Sequence, residues 1–158
     1  MNKPELFKHY HGEFKQMAEH LKSLDWFTGK WKVTVGLNDR NQPYLTLRKS
    51  NWPDGIHFES WITGADLERS TLPVAFHFEA PFEETGVQRG PFYAYVLEHG
   101  DAIISGLKGY KLSPKSFQLL VNRAKFRESK MRDVMEREYN QLHPLGDVID
   151  DAIDAVKK

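Results

Sequence analysis

The sequence of 158 residues has no cysteine, no long hydrophobic run and a formal net charge of +0. Without thiols the chain contains no disulfide bond, no thiolate zinc site, no iron–sulfur cluster and no cysteine nucleophile. The neutral total argues against a protein that binds nucleic acid through bulk positive charge. A chain of this length buries enough surface for one hydrophobic core, so its stability requires neither disulfides nor a structural metal.

No segment approaches the ~20 consecutive apolar residues that span a bilayer. The N-terminus is polar from its first residues and lacks the apolar region of a signal peptide. The longest apolar run, 92–97, has the length of a core segment. We therefore expect a cytoplasmic protein with no membrane partner.

The first half of the chain changes from a helical to a strand pattern. Apolar residues recur at steps of three and four over residues 5–24, which predicts an amphipathic helix. From Trp31 they alternate, and turn residues interrupt them at 38–43 and 51–55. The sequence therefore predicts an antiparallel meander of three strands over 31–62 and a fourth strand at 74–79.

The second half is less uniform. Residues 92–97 and 116–124 are compatible with strand or helix, and we favour a strand for the second segment. Two helices are predicted at 127–142 and from Leu145 to Val156.

Segregated strands and helices indicate an α+β fold. We expect an antiparallel sheet of four or more strands (31–62 plus 74–79), flanked by an N-terminal helix and two C-terminal helices. Residues 1–158 are predicted to form a single domain, and residues 126–158 are also compatible with a helical appendage.

The tripeptide His-Phe-Glu occurs twice, as His57-Phe58-Glu59 and as His77-Phe78-Glu79. Alternate residues of a strand share a face, so each histidine lies on the same side as its glutamate. If the two strands are neighbours, His57, Glu59, His77 and Glu79 gather on one face. Imidazole and carboxylate ligands suit zinc, iron or manganese. The same groups suit general acid–base catalysis, and they are also ordinary cross-strand pairs on a solvated face.

The neutral total is a sum of charged blocks: residues 50–100 carry a net −6, residues 103–132 a net +7 and residues 133–156 a net −6. The central block with its interleaved aromatic residues predicts a surface for nucleic acid or another partner. Its basic residues are Lys108, Lys111, Lys115, Arg123, Lys125, Arg127, Lys130 and Arg132. Mutual neutralisation of the blocks within the fold is the alternative.

Gly29-Lys30-Trp31, ahead of the first predicted strand, is similar to the start of the first strand in lipocalins. The similarity ends after these three residues, and the C-terminal helices depart from the lipocalin pattern. We expect no lipocalin function from it. Phosphate-binding and dinucleotide-binding glycine motifs are absent from the sequence as well.

These observations lead to three hypotheses. The first is a small non-catalytic binding or regulatory module that contacts a macromolecular partner, most simply a protein. The second is a metal- or acid–base-dependent enzyme built on the His/Glu cluster, and the third is a nucleic-acid-contacting protein using residues 108–132. The sequence identifies neither a cofactor nor catalytic residues. A homodimer through the first or last helix is compatible with the apolar stripes of these two helices.

Overall fold

The computed structural model describes residues 2–79, 82–126 and 130–157, which form a six-stranded antiparallel sheet with helices packed against it. The helices are Lys3–Lys22 (α1), Gly64–Arg69 (α2), Phe82–Thr85 (α3), Arg89–His99 (α4), Asp101–Gly106 (α5), Met131–Leu142 (α6) and Leu145–Val156 (α7). The strands are Trp31–Leu37 (β1), Pro43–Lys49 (β2), Ile56–Trp61 (β3), Thr71–Phe78 (β4), Lys111–Leu112 (β5) and Gln118–Lys125 (β6). The predicted α+β architecture is confirmed.

The strands are ordered β1-β2-β3-β4-β6-β5. Strand β4 therefore extends the meander, and β6 pairs with the other side of β4. Residues 92–97 lie in α4, and the strand favoured at 116–124 is present as β6. Strand β4 begins three residues before the predicted start and includes Pro73. Pairing of β3 with β4 ends at Val74, so the proline lies where it disturbs that ladder least.

One face of the sheet is the hydrophobic core. Alternate residues of the central strands point towards the helices and are buried, as the period of two requires. They include Leu45, Leu47, Ile56, Phe58, Phe76 and Leu120. The opposite face carries Tyr44, Thr46, Glu59 and Trp61, which are partly exposed. The helices in the described residues therefore cover the core face, and the opposite face is the open face of the sheet.

The C-terminal helices are fixed to the sheet by buried polar contacts. The hydroxyl oxygens of Ser60 on β3 and Tyr139 on α6 lie 2.7 Å apart, and both residues are fully buried. Asp150 on α7 accepts hydrogen bonds from Lys49 Nζ (2.7 Å) and from the indole nitrogen of Trp52 (2.6 Å). These contacts hold the turn at 50–55 against α7.

The single domain and the homodimer both stay predictions.

None of the helices in the described residues combines the length and the apolar character that a bilayer span requires.

Replacing Gly146 by alanine should destabilise the fold by roughly 1–3 kcal/mol through overpacking. A Cβ at this position would lie 2.8 Å from Cζ2 of Trp31, whose ring is already held against the rings of Trp26 and Trp52. The matched control is Gly90→Ala in α4, where a Cβ meets nothing within 4 Å. Its free energy of unfolding should stay equal or rise by up to about 1 kcal/mol. Chemical denaturation of both variants tests the pair, and equal stabilities would contradict this packing.

Candidate metal centre

The two His-Phe-Glu segments lie side by side. Strands β3 and β4 are antiparallel neighbours, with His57 directly opposite His77 and Phe58 opposite Phe76. Glu79 follows the last residue of β4 and remains beside His57. Because the phenylalanines point into the core, the two histidines point to the open face. The pairing that the metal hypothesis requires is therefore present.

The connection between β3 and β4 explains this pairing. Helix α2 begins with a capping box, in which Thr63 and Asp66 satisfy each other's backbone N–H groups. The carboxylate of Asp66 also accepts a hydrogen bond from Thr71 Oγ1 at 2.9 Å, which fixes the start of β4. Ser70 between them has φ 54°, a left-handed conformation that ends the helix and reverses the chain.

The imidazole nitrogens and carboxylate oxygens of the four residues converge on one point. His57 Nε2 lies 3.1 Å from Glu59 Oε1 and 3.7 Å from Glu79 Oε1. His77 Nδ1 lies 3.8 Å from Glu59 Oε1 and 2.6 Å from Glu79 Oε1. All four atoms lie within 4.8 Å of one another. Each carboxylate therefore faces both imidazoles.

The orientation of the His57 ring is fixed by a contact of Nδ1, the ring nitrogen that points away from the cluster. Nδ1 lies 2.6 Å from the backbone oxygen of Asp54, so it is protonated and donates. In the neutral ring the lone pair is then on Nε2, which points into the cluster. A histidine held in this way by a backbone carbonyl is the usual arrangement of a metal ligand.

His77 is buried without a hydrogen-bond partner. Its exposed fraction is 2%, and neither ring nitrogen makes a hydrogen bond within the described residues. Its Nδ1 forms a 2.6 Å ion pair with Glu79 Oε1, and Nε2 has no polar partner among the described residues. A buried polar atom without a partner is costly in free energy. A cation held between His77 and Glu79 would take the place of this ion pair, with its ligand atoms roughly 3.3 Å apart.

Charge in the cluster favours protonation of His57 when no ion is bound. Burial lowers its pKa, but the hydrogen bond to Glu59 and the nearby Glu79 carboxylate outweigh burial and raise the pKa to about 9. The pKa of Glu79 is held well below its usual range by contacts with His57 and His77, against the opposing effect of burial. At neutral pH the cluster therefore holds a cationic imidazole against ionised carboxylate.

The cluster lies in a cavity of about 870 Å³ on the open sheet face. The side chains of His57 and His77 are 7% and 3% exposed, that of Glu59 is 19% exposed and that of Glu79 is 40% exposed. The two histidines and Glu59 are therefore largely buried, and Glu79 lies at the opening of the cavity. Apart from the cluster, the lining includes Tyr44, Arg48, Trp61, Phe117, Gln118 and Arg123.

These residues fit a divalent transition-metal ion. A tetrahedral ion with bonds of about 2.0–2.1 Å separates its ligand atoms by roughly 3.3 Å. The four measured nitrogen–oxygen distances, 2.6–3.8 Å, lie on both sides of that value. Two carboxylates balance the charge of a divalent cation, with both imidazoles neutral. The nitrogen and oxygen ligands suit zinc, iron or manganese.

Arg48 is a positioning residue behind this cluster. Its guanidinium donates to the backbone oxygen of Trp52 at 2.7 Å and forms a 2.9 Å ion pair with Asp54. It therefore fixes the turn whose backbone carbonyl orients His57. No residue pattern in the sequence indicates this role, although alternation along β2 places Arg48 on the open face.

Replacing Arg48 by methionine should weaken zinc binding by about tenfold with all four candidate ligands intact, as loss of a supporting contact does in other metal sites. The matched control is Lys32→Met, because Lys32 is an exposed residue directly opposite Arg48 on β1. It should leave zinc affinity unchanged. Competition with a chelating dye measures both affinities, and an equal effect of the two substitutions would contradict the positioning role.

The predicted basic surface is only partly assembled. Lys108, Arg123 and Lys125 line a second cavity of about 660 Å³ beside β6, together with Arg137 and the buried Glu138. Lys111 lies on β5, and Lys115, Lys130 and Arg132 are exposed elsewhere. Arg127 lies outside the described residues. Lysine and arginine at the end of a sheet also oppose pairing with another chain, so their position has a structural explanation.

No protein-family model matches the chain, and comparisons with curated proteins and with solved structures find no significant similarity.

Proposed function

We propose that the open sheet face is the active site of a metal-dependent enzyme, in which His57, Glu59 and His77 hold a divalent transition-metal ion. The observation that supports this most strongly is the convergence of four ligand atoms within 4.8 Å on two adjacent strands. His57, whose Nδ1 is held by a backbone carbonyl while Nε2 faces the carboxylates, favours a metal over a histidine–carboxylate acid–base pair, because this is the usual orientation of a metal-binding imidazole.

An enzyme is favoured over a structural metal site because the cluster is open on one side. Structural zinc sites are closed by four protein ligands, whereas catalytic sites keep a position for water or substrate. Here the cavity reaches the cluster, and Glu79 is the most exposed of the four side chains. A coordination position towards the cavity therefore remains available.

The proposed chemistry is metal-assisted hydrolysis. A bound divalent ion lowers the pKa of a coordinated water and polarises a carbonyl or phosphoryl oxygen. Glu79 is the most exposed of the four side chains and stands at the mouth of the site, so we assign it the role of general base towards a water there. The ion would supply the activated water for attack on a carbonyl or phosphoryl centre, and Glu79 would take the water's proton and pass it to the leaving group.

Glu79→Gln separates this catalytic role from metal binding. We expect zinc affinity to change by less than about tenfold, because three ligands remain, and turnover to fall by about 10²–10⁴-fold, the usual contribution of a general base. The assay is hydrolysis of nitrophenyl esters and phosphoesters by the chain loaded with zinc or manganese. His57→Gln is the control that should lose both metal and turnover. Equal rates for metal-loaded and chelator-treated wild-type protein would contradict the enzyme proposal.

The nucleic-acid hypothesis keeps one supporting observation, the cavity that brings Lys108, Arg123, Lys125 and Arg137 together. We propose it as a second candidate, for which salt-sensitive binding of single-stranded DNA or RNA is expected. A gel-shift assay at low salt tests it, and absence of binding there would remove it. The binding module with a protein partner and the cytoplasmic location likewise stay predictions.

A further inference from the structure

Two aromatic side chains stand against the buried ligand His77. The ring of Trp61 and the ring of Phe117 each lie with their centroids 5.3 Å from that of His77. Trp61 shares a strand face with Glu59, and the small Ala75 opposite Glu59 leaves room for the indole to reach His77. The rings exclude water from His77 and form an apolar wall beside the cluster.

Phe117 is the more unusual of the two because 44% of it is exposed. Leu37 and Leu112 are exposed to a similar degree, but neither lines the cavity at the cluster. An apolar surface beside a few converging polar groups is typical of small-molecule sites, where the polar groups orient the ligand and the apolar ones supply contact area.

The charge around the cavity favours an anion once a metal is bound. A divalent ion would offset the charges of Glu59 and Glu79. The other charged residues of the lining, Arg48 and Arg123 against Asp54, then leave a net positive charge. Arg123 lines the same cavity, and half of its side chain is exposed. Its ion pair with Asp66 is long, with 3.4 Å between Nη1 and Oδ1. Asp66 already accepts hydrogen bonds from Thr63 and Thr71, so it does not need the arginine as its donor.

We infer that the ligand of this site is a small organic anion that carries an aromatic ring. Its anionic group, a phosphate, phosphonate or carboxylate, coordinates the metal, and its ring packs against Phe117 and Trp61. This inference rests on the proposed metal site, and it names the class of substrate or product that the site takes.

The test uses the full chain loaded with zinc and two probes that share the phosphonate group, phenylphosphonate with an aromatic ring and propylphosphonate with a short alkyl chain. Stacking of one aromatic pair corresponds to roughly three- to tenfold in affinity, so the phenyl probe should bind that much more tightly by calorimetry. Phe117→Ala should reduce the preference for the phenyl probe, because Trp61 alone then remains to contact the ring. Leu112→Ala, an equally exposed site outside the cavity, is the matched control and should preserve the preference.

Four outcomes would overturn the inference. Equal affinity of the two phosphonates in the wild-type chain would remove the aromatic part, and tighter binding of benzylamine than of phenylphosphonate would remove the anionic part. Zinc binding without phosphonate binding would reject the ligand class and leave the metal site in place. A chain that binds no zinc would reject both this inference and the proposed function.

Discussion

Zinc affinity should fall by more than about a hundredfold when either His57 or His77 is replaced by glutamine. Loss of a supporting residue costs metal sites 10–100-fold, and loss of a ligand removes a coordinate bond as well. Glutamine keeps much of the side-chain volume, so the buried position of His77 is not left as a cavity. The measurement is a competition titration of metal-free protein with zinc, with thermal unfolding as a check of the fold.

His9→Gln is the matched control for these variants. His9 lies on α1, is partly exposed and forms a 3.7 Å pair with Glu13, so it is a histidine–glutamate pair outside the cluster. We expect its zinc affinity to equal that of the wild type. A His57 or His77 variant that binds zinc as tightly as the control, while folded, would show that the ion binds elsewhere.

Stability of the metal-free chain should depend on pH through His57. Its pKa is raised from 6.5 in the unfolded chain to about 9 in the fold. A raised pKa contributes stability that is fully present below pH 6.5 and is lost as pH rises through 9. The difference corresponds to a loss on the order of 3 kcal/mol between these limits. Glu79, whose pKa is lowered, contributes stability that is present above its ordinary value of 4.5 and lost as pH falls.

The same proton competes with the metal. Since His57 must lose its proton to bind an ion through Nε2, zinc affinity should rise by about tenfold per pH unit between pH 7 and 9, with release of about one proton at pH 7. Urea denaturation of metal-free protein and calorimetry in buffers of different ionisation enthalpy measure the two effects. His57→Gln should flatten the stability profile above pH 6.5. An unchanged alkaline slope in that variant would assign the effect to another group.

The local part of the fold was predictable because its signals are local. Alternation from Trp31 to Ile62 specifies three strands, and the two His-Phe-Glu segments place each histidine with its glutamate whatever the register. What the sequence left open was the partner of the fourth strand, β4. That partner depends on the capping box of Thr63 and Asp66 and on the left-handed Ser70, which together return β4 beside β3.

The parts that could not be predicted depend on contacts between distant segments. Residues 92–97 are apolar in a pattern that suits strand and helix equally, and packing in the tertiary fold decides for α4. Phe117 reaches His77 from another part of the chain because β6 inserts between β4 and β5. The carbonyl of Asp54 orients His57, but a backbone atom in a turn leaves no signal in the residue types. The four residues of the cluster were therefore predictable, and the groups that orient and cover them were not.

Anomalous diffraction from crystals of the zinc-loaded chain tests the central claim most directly. We expect one zinc peak between β3 and β4, about 2.0–2.2 Å from His57 Nε2, Glu59 and His77 Nδ1, with Glu79 beside it and a coordination position facing the cavity. A zinc peak at surface histidines such as His9, with the cluster empty at saturating zinc, would contradict the account.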